Sequence, residues 1–369
     1  MSEIRTSVEP RLARAIHAKA AHCGFPAAAN FELTPRCNFN CKMCYVHLTK
    51  EEQERRGREL TAAEWIDLGR QACEAGVVFL LLTGGEPTLR ADFCELYEAL
   101  AQMGLSITVN TNATNLSDEI KELWQKLPPA QVNVTVYGVC REDYGDLCQN
   151  PDAFDKVQEN LQWLKNQGIL VHLNTTVVPV NYPKWTEIEE FAKNGGYELR
   201  MTAYCFPPSR RNGCSDFDDF MRLSPDKAGE LTVLDILYRE GKNAVKARAA
   251  NLCSPIQRSC ELDNGEPIQC MAGSSQFWVS WNGFVTPCGM LDKPNFSVTE
   301  NGFNPAWEKL KSQCKKIRLC PECASCEHQK SCMNCVAVTY AETGRFDGKP
   351  QYMCDFNKAY REALIKYSE

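Results

Sequence analysis

The sequence predicts an α/β fold in which the strands of a parallel sheet alternate with helices. Three observations support this prediction: short apolar or β-branched runs recur, amphipathic stretches separate them, and capping residues, glycines or prolines mark the boundaries. The six predicted strands cover residues 30–34, 77–82, 106–109, 132–136, 170–178 and 197–204. Alternation of this kind is typical of a doubly wound sheet or an incomplete barrel, and the order of the elements leaves both open.

The predicted helices begin and end at recognisable caps. Thr61 and Glu64 have the spacing of a capping box, and the helix that they begin ends before Gly76. Asn150 begins a long helix that Gly168 ends, as the cap and C′ preferences of helices predict. The remaining predicted helices cover residues 8–21, 91–103, 117–127, 185–194, 224–241 and 357–367.

Composition narrows the function classes. The chain has 369 residues, long enough for two domains, and its charge of −6, from 41 basic and 47 acidic residues, is wrong for a non-specific nucleic-acid binder. The longest apolar run, 77–82, is far too short to cross a bilayer, and the N-terminal segment 1–22 lacks the apolar core of a signal peptide. We therefore expect a cytoplasmic protein without nucleic-acid or membrane partners.

The 21 cysteines indicate metal binding, because disulfides are rare in a reducing compartment. Eleven of them lie between Cys253 and Cys354, and this shift in composition predicts a domain boundary. The predicted division is a helical lead-in at 1–25, an α/β domain at 26–245 and a cysteine-rich domain at 246–369.

Three cysteines, Cys37, Cys41 and Cys44, directly follow the first predicted strand. Thiolates suit iron–sulfur clusters and zinc. Three sulfurs this close in sequence can hold three irons of a cubane cluster, which leaves the fourth iron open for chemistry. The alternatives are a structural zinc loop with His47 as the fourth ligand, or a disulfide-rich segment.

Polar and glycine-rich segments follow other predicted strands, at the edge of a parallel sheet where functional loops gather. After the second strand, Gly84 and Gly85 allow backbone to approach a ligand closely, and Glu86 can accept a hydrogen bond from an ammonium group. Further polar candidates on the third, fifth and sixth strands are Asn112, Thr175 and Arg200. The structural alternatives are an ordinary turn at the glycines, an Asx turn and a salt bridge.

The spacing Cys-x3-Cys-x2-Cys, with Met43 and Tyr45 beside the third cysteine, resembles the cluster loop of radical SAM enzymes. The resemblance implies a six-stranded partial (β/α)6 barrel of the TIM type, and a 4Fe–4S cluster whose open iron is chelated by S-adenosylmethionine (SAM). It also implies reductive cleavage of SAM to a 5′-deoxyadenosyl radical, which abstracts a hydrogen atom from the substrate. The residues implied for SAM binding are Tyr45, Gly84, Gly85, Glu86, Asn112, Thr175 and Arg200.

The cysteine-rich domain carries a second pattern. Cys270 and Cys288 bracket a stretch in which Asn282-Gly283 lies between alternating aromatic and β-branched residues, the strongest short signal for a β-hairpin. This order, followed by Cys-x2-Cys-x5-Cys and further cysteines, resembles the SPASM extension of radical SAM enzymes, which binds two auxiliary 4Fe–4S clusters. The chain departs from that pattern because two residues, not three, separate the next cysteine pair, Cys332 and Cys335.

Carried over by this resemblance, the ligands of the outer auxiliary cluster are Cys323, Cys326, Cys332 and Cys354. Those of the inner cluster are Cys270, Cys288 and Cys335, with Cys253 or Cys260 as the fourth, and we favour Cys260. Two cysteines are surplus to the pattern, Cys314 and Cys320. With the first cluster loop we therefore expect three 4Fe–4S clusters; a pair of structural zinc sites in the second domain is the alternative.

The resemblance implies an enzyme that modifies a peptide or protein, such as a maturase that forms a thioether or another cross-link on a ribosomally made peptide. Its implied second partner is a reductant such as flavodoxin or ferredoxin. Only about thirty residues precede the first predicted strand, too few for the winged-helix domain that often begins such maturases. We therefore expect leader-peptide recognition to need a separate protein or another surface.

Other functions stay open. An anaerobic sulfatase maturase, which makes formylglycine from Cys or Ser, has a catalytic Asp directly after the hairpin cysteine, where this chain has Gly289, with Asp292 three residues later. A non-catalytic iron–sulfur electron carrier is a further alternative, which the open coordination position argues against, and a small-molecule enzyme is another. No general base can be assigned from the sequence, and the candidates are Tyr137, Asp143, Tyr144, His172 and Asp292.

Overall fold

The computed structural model of the protein describes residues 10–207, 221–252, 270–328 and 331–369. The described strands are β1 (Ala28–Glu32), β2 (Phe79–Thr83), β3 (Ser106–Thr111), β4 (Gln131–Thr135), β5 (Val171–Thr176), β6 (Glu198–Thr202), β7 (Gln276–Val279), β8 (Phe284–Thr286) and β9 (Phe296–Ser297). They form one sheet in the order β6-β5-β4-β3-β2-β1-β7-β8-β9. The six strands that the sequence predicts are all present, as β1 to β6.

The described helices are α1 (Pro10–Cys23), α2 (Lys50–Arg56), α3 (Ala62–Glu74), α4 (Phe93–Gln102), α5 (Asp118–Lys126), α6 (Arg141–Cys148), α7 (Ala153–Asn166), α8 (Trp185–Gly195), α9 (Pro225–Glu240), α10 (Lys242–Asn251), α11 (Val298–Asn301), α12 (Phe303–Cys314), α13 (Pro321–Ala324), α14 (Val336–Thr343) and α15 (Gln351–Ser368). The capping box predicted at Thr61 and Glu64 is confirmed, because each side chain accepts from the other residue's backbone N–H. Two helices of the α/β region, α6 and α10, were not predicted.

The first five strands pair in parallel, which confirms an α/β fold with a parallel sheet. Alternation along the strands sorts their side chains onto two faces. Phe31 of β1 and Leu82 of β2 are directly paired and fully buried. Phe31 packs on Trp65 of α3, with ring centroids 4.9 Å apart, so this face of the sheet meets the helices.

The opposite face is polar. Asn110 of β3 lies opposite Asn133 of β4, which lies opposite His172 of β5. The Asn133 side chain donates to the Asn110 Oδ1 atom over 2.7 Å. Because all of these residues are half-buried rather than packed under helices, this face can present hydrogen-bonding groups to a ligand.

The residues around Asn282-Gly283 form a β-hairpin, and its membership of a SPASM extension remains a prediction. Strands β7 and β8 pair antiparallel, with Trp278 opposite Thr286, and Gly283 in the connection has the positive φ of +83° that glycine tolerates. Strand β7 also pairs in parallel with β1, and Asn30 donates to the Phe277 carbonyl over 2.8 Å. The hairpin therefore extends the sheet at the strand that leads into the first cysteine loop.

The described residues divide into two compact units. The first contains those within 1–175, 184–200 and 270–314, and the second contains those within 176–183, 201–269 and 315–369. Each unit is built from three separate segments of the chain. The domain boundary expected between residues 245 and 246 remains a prediction. In the part of the chain that the structure describes, no helix is both long and apolar enough to cross a membrane.

Helices α9 and α15 pack closely in the second unit. Their shared core contains Val233, Ile236 and Leu364, all buried. Gly229 of α9 faces the α15 backbone: a Cβ atom added there would lie 2.6 Å from the Phe356 carbonyl oxygen. Because real Cβ atoms do not approach backbone this closely, the helix packing requires glycine at this position.

We predict that Gly229→Ala destabilises the protein by about 1–3 kcal/mol, because the added methyl group overpacks a close helix contact. The matched control is Gly145→Ala in α6, where an added Cβ atom would have its nearest neighbour at 3.6 Å. Alanine's better helix propensity should make that control up to about 1 kcal/mol more stable. Urea denaturation followed by circular dichroism measures both. A Gly229→Ala midpoint at or above that of the wild type would contradict the packing account.

Candidate functional site

The first cysteine loop surrounds its sulfurs with backbone donors. The Phe39 N–H donates to Cys37 Sγ over 3.4 Å, and the His47 N–H donates to Cys44 Sγ over 3.3 Å. The Cys44 N–H donates to the Cys41 carbonyl over 3.1 Å, which closes a tight turn between the second and third cysteines. N–H groups aimed at sulfur stabilise the negative charge of a ligating thiolate and tune the potential of a cluster.

The three thiols lie within electrostatic reach of one another. Burial raises the pKa of Cys37 to about 12, and the neighbouring Glu86 and Cys44 add to the shift. Burial likewise raises the pKa of Cys41, with further contributions from Cys44 and Cys37. Such thiols keep their protons at neutral pH until a metal displaces them, so loading of the site releases protons.

An aromatic cluster encloses one side of the loop. The Cys41 thiol contacts the Tyr137 hydroxyl over 3.1 Å. The ring of Phe39 meets those of Tyr137 and Tyr144 edge-on, at centroid distances of 5.8 and 6.3 Å. Burial, followed by the nearby cysteines, raises the pKa of Tyr137 well above its usual value. Tyr137 therefore stays protonated beside the loop. A protonated phenol cannot accept a proton, so Tyr137 does not suit the role of general base.

The glycine-rich segment after β2 packs directly on the cysteine loop. The Gly85 N–H donates to the Thr34 carbonyl over 2.7 Å, and the Glu86 N–H donates to the Arg36 carbonyl over 2.8 Å. A Cβ atom at Gly84 would lie 2.5 Å from the Thr34 oxygen, and one at Gly85 only 2.2 Å from the Arg36 oxygen. Both glycines are therefore required by this close approach between two backbone segments.

Glu86 is fully buried and connects the ends of β2 and β3. Its Oε1 atom accepts from the Thr88 N–H (3.2 Å), the Thr88 hydroxyl (2.7 Å) and the Thr111 hydroxyl (2.7 Å). Its Oε2 atom accepts from the Asn112 N–H over 2.6 Å. Burial raises the pKa of Glu86, and these hydrogen bonds oppose that shift. Since a carboxylate oxygen has two lone pairs, Oε2 retains capacity for one more donor.

Asn112 joins this network to the cysteine loop. Its side-chain amide donates to the Asn38 Oδ1 atom over 2.8 Å and lies 3.8 Å from Cys37 Sγ. The structure thus brings together three of the regions predicted from the sequence: the cysteine loop, the glycine-rich segment and the end of the third strand. Tyr45, half-buried, directly follows Cys44 in the same loop.

Two of the predicted SAM-binding residues, Thr175 and Arg200, lie apart from this network in the described contacts. Thr175 is buried on the same face of β5 as Leu173, toward the helices, whereas His172 and Asn174 alternate onto the half-buried polar face. Its hydroxyl, buried from solvent, has no hydrogen-bond partner among the described residues. Arg200 is exposed on β6. Among the described residues, neither side chain contacts the cysteine loop or Glu86.

Two of the other candidate bases, Asp143 and His172, have charged neighbours. Asp143 accepts from the Val139 N–H over 2.7 Å and pairs with Lys184 over 2.5 Å. These contacts lower the pKa of Asp143 although its burial acts in the opposite direction. Tyr144 is fully buried, and that burial raises its pKa. The His172 Nε2 atom lies 3.3 Å from a Glu198 carboxylate oxygen.

Five cysteines of the second unit are neighbours. Burial raises the pKa of Cys323 to about 12, and the thiols of Cys320, Cys354 and Cys332 contribute further. Cys326 in turn acts on Cys332 and Cys354. This group contains the four predicted outer-cluster ligands and the surplus Cys320, whose sulfur accepts the Cys323 N–H over 3.2 Å.

Asn357 is a residue of this group that sequence reasoning missed. Its buried side chain donates to Cys332 Sγ over 3.2 Å and accepts the Met333 N–H over 2.9 Å. A polar residue three positions after Cys354 in a helical stretch was the available signal. The bond holds the orientation of a sulfur that the sequence predicts as an iron ligand.

The structure describes three of the cysteines predicted for the inner cluster. Cys270 and Cys288 lie in the first unit, where both act electrostatically on Cys314. Cys335 caps α14 in the second unit, its sulfur accepting the Val338 N–H over 3.5 Å. The predicted ligand Cys260, like its alternative Cys253, lies outside the described residues. Across the described ranges, no three His, Cys, Asp or Glu side chains converge closely enough to hold a single metal ion.

The chain is similar in sequence to a known enzyme superfamily and to several named proteins. The radical SAM superfamily matches residues 31–193. An AdoMet-dependent heme synthase of Methanosarcina barkeri is 28% identical over 340 residues, which cover 87% of this chain and 94% of the relative. The mycofactocin maturase MftC of Mycobacterium tuberculosis is 24% identical over 331 residues, which cover 88% of this chain and 81% of the relative.

Among solved structures, Streptococcus suis SuiB has been determined with bound S-adenosylmethionine and with the precursor peptide SuiA, and each structure gives a TM-score of 0.64 at 18% identity. The match covers 96% of this chain and 83% of SuiB. At this identity the likeness shows a shared fold alone. The superfamily match contains the cysteine loop and the Glu86 network, so residues 31–193 are a radical SAM domain, and the chain is an enzyme.

Proposed function

We propose that this enzyme is a peptide maturase that uses SAM radical chemistry to form a cross-link, such as a thioether, on a ribosomally made peptide. The observation that carries the proposal is the connection of the Cys37, Cys41 and Cys44 loop to the buried Glu86 carboxylate through Asn112 and the glycine backbone. This connection supports one site in which a cluster with an open iron and an acceptor for a ligand's amino group lie side by side.

The residues present fit the cluster and SAM. Cys37, Cys41 and Cys44 would hold three irons of a 4Fe–4S cluster, and the N–H groups of Phe39 and His47 are already directed at two of the sulfurs. When bound and reduced, the cluster and SAM supply a 5′-deoxyadenosyl radical that abstracts hydrogen from the substrate. The buried aromatic side chains beside Cys41 exclude water from that side of the loop.

Glu86 would receive the ammonium group of SAM at Oε2, while its other bonds fix the relative positions of β2 and β3. Asn112 would contribute a side-chain amide at the same strand end. The proposal keeps Tyr45, Gly84, Gly85, Thr175 and Arg200 as SAM-site residues, with the glycines acting through close backbone packing. The buried and unpartnered Thr175 hydroxyl and the exposed Arg200 are the weakest members of this set.

A peptide substrate is supported by the relatives. MftC is a maturase, and SuiB binds a precursor peptide with a fold that this chain shares over most of its length. The polar face of the sheet, with Asn110, Asn133 and His172 half-buried, offers donors and acceptors suited to a peptide backbone. We also propose a partial barrel, a SPASM extension with two auxiliary clusters, a cytoplasmic location, and a reductant such as flavodoxin or ferredoxin.

The hairpin argues against formylglycine formation. In the sulfatase maturases that the sequence resembles, a catalytic Asp stands where this chain has Gly289. A Cβ atom at Gly289 would lie 2.7 Å from the Trp278 ring. The Trp278 indole N–H donates to the buried Glu32 carboxylate over 3.0 Å, which holds the ring in place. The site of the missing base is therefore filled by an anchored aromatic ring.

Heme synthesis is a second candidate function. The AdoMet-dependent heme synthase of Methanosarcina barkeri is matched over 94% of its own length, at a higher identity than MftC. A tetrapyrrole carries several carboxylates and would use the same cluster loop and SAM site, so the candidates differ only in substrate. The radical SAM domain and the maturase relatives argue against a non-catalytic electron carrier.

The first test loads the protein anaerobically with iron and sulfide and measures metal content and reductive SAM cleavage. We predict about twelve irons per chain, falling by about four when Cys37, Cys41 and Cys44 are all changed to Ala, with 5′-deoxyadenosine formation abolished. The control is Cys148→Ser, a buried thiol beside Cys41 that lies outside the motif, and it should keep both iron and activity. SAM cleavage that survives in the triple variant would contradict the assignment.

The second test concerns Glu86. We predict that Glu86→Gln weakens SAM binding by about 10- to 150-fold, because a hydrogen bond to a charged group contributes about 1.5–3 kcal/mol. Anaerobic equilibrium dialysis with labelled SAM measures the affinity. Glu74→Gln, an exposed carboxylate on α3, is the matched control and should leave the affinity unchanged. Unchanged SAM affinity in a Glu86→Gln protein that keeps its iron would remove Glu86 from the SAM site.

The third test compares substrates. The loaded enzyme is incubated with SAM, reductant and either the short peptides encoded beside its gene or carboxylated tetrapyrroles, and products are followed by mass spectrometry. A maturase that forms a cross-link should remove two hydrogens from a peptide for each bond made. Turnover of a tetrapyrrole, with every peptide returned unchanged, would favour heme synthesis instead.

A further inference from the structure

Three cysteines of the first unit lie near the base of the hairpin, and one of them is Cys314, which is surplus to the sequence pattern. Gly273, three residues after Cys270, lies against the Cys314 side chain. A Cβ atom added at Gly273 would lie 2.4 Å from Cys314 Sγ and 4.0 Å from the Cβ atom of Pro287, the residue before Cys288. Gly273 therefore lies against Cys314, and it is close in sequence to Cys270 and close in space to the residue before Cys288.

The segment after Cys270 is a tight turn that holds this glycine in position. The N–H groups of Ser274, Ser275 and Gln276 all donate to the Met271 carbonyl, at 2.9–3.0 Å. The Gly273 N–H donates to the Gln276 carbonyl over 2.8 Å, and its φ of +70° is one that glycine adopts without strain. The turn also aims the Ala272 N–H at Cys270 Sγ, over 3.4 Å.

The other two thiols come from elements that pack on the same strand. Cys288 follows β8, and the Leu291 N–H donates to its carbonyl over 3.1 Å. Cys314 is the last residue of α12, which packs on Phe277 of β7 through Phe303 and Trp307, at ring distances of 4.8 and 5.7 Å. The Cys314 side chain is buried, and both Cys270 and Cys288 are within its electrostatic reach.

We propose that Cys314 is an iron ligand of the inner auxiliary cluster, together with Cys270 and Cys288. This inference rests on the proposed function, in which auxiliary clusters are present, and it gives Cys314 the ligand position for which the resemblance offered Cys253 or the favoured Cys260. Each cysteine of a cubane binds a different iron, so its sulfurs surround the cluster rather than converge on one ion. Three thiols from three segments around a small turn suit that arrangement, and each releases its proton when iron binds.

The test uses the full-length protein, loaded anaerobically, with iron, sulfide and electron paramagnetic resonance as readouts. Variants are Cys314→Ala, Cys270→Ala and the double variant, and Cys73→Ala on α3 is the control thiol. If both cysteines serve one cluster, each single variant should lose about four of about twelve irons, and the double variant should lose no more than either. The signal of the reduced first cluster and SAM binding should persist in all of them.

Full iron content in Cys314→Ala would overturn the inference, and so would additive iron losses in the double variant. If Cys314→Ala fails to fold, Cys314→Ser keeps the side-chain size and decides the question: a serine ligand changes the signal of the reduced auxiliary cluster, and an unchanged signal contradicts the assignment. Failure of the proposed function is distinguishable, because the wild type itself would then contain only about four irons.

Discussion

The structure of the site depends on one buried carboxylate. An ionised carboxylate out of water costs several kcal/mol unless hydrogen bonds replace its hydration, and Glu86 obtains four of them from the ends of β2 and β3. The same segment contributes Gly85, whose N–H binds the Thr34 carbonyl at the start of the cysteine loop. Loop, strand ends and carboxylate are therefore one network, and movement of any part would leave buried polar groups unpaired.

The hairpin adds a second constraint on the same strand. Because β7 pairs with β1, the indole of Trp278 reaches Glu32, directly before the loop, and covers the position of Gly289. The same strand packs against α12, which carries Cys314 to the turn after Cys270. Pairing of one strand thus fixes the Trp278 ring over Gly289 and brings together the elements that carry the thiols proposed to hold an auxiliary cluster.

Much of this architecture could be predicted from the sequence, because strands, caps and the Asn-Gly turn depend on local patterns. The failures have tertiary causes. Helix α6 contains Gly145 and little apolar sequence, and it is held by the Asp143 side chain and its pairing with Lys184. The face on which Thr175 lies also depends on the register of β5, because successive residues of a strand point to opposite faces, and its part in SAM binding remains a prediction. The neighbours of Cys314 come from distant segments, which spacing alone cannot reveal.

We propose that the open iron of a cluster held by Cys37, Cys41 and Cys44 binds SAM beside Glu86. The most direct measurement is pulsed electron paramagnetic resonance of the reduced protein with SAM labelled at its amino nitrogen or carboxylate oxygen. We predict hyperfine coupling from both labels to the cluster, and loss of that coupling in the triple cysteine variant. A reduced cluster whose signal shows no coupling to either label at saturating SAM would contradict it.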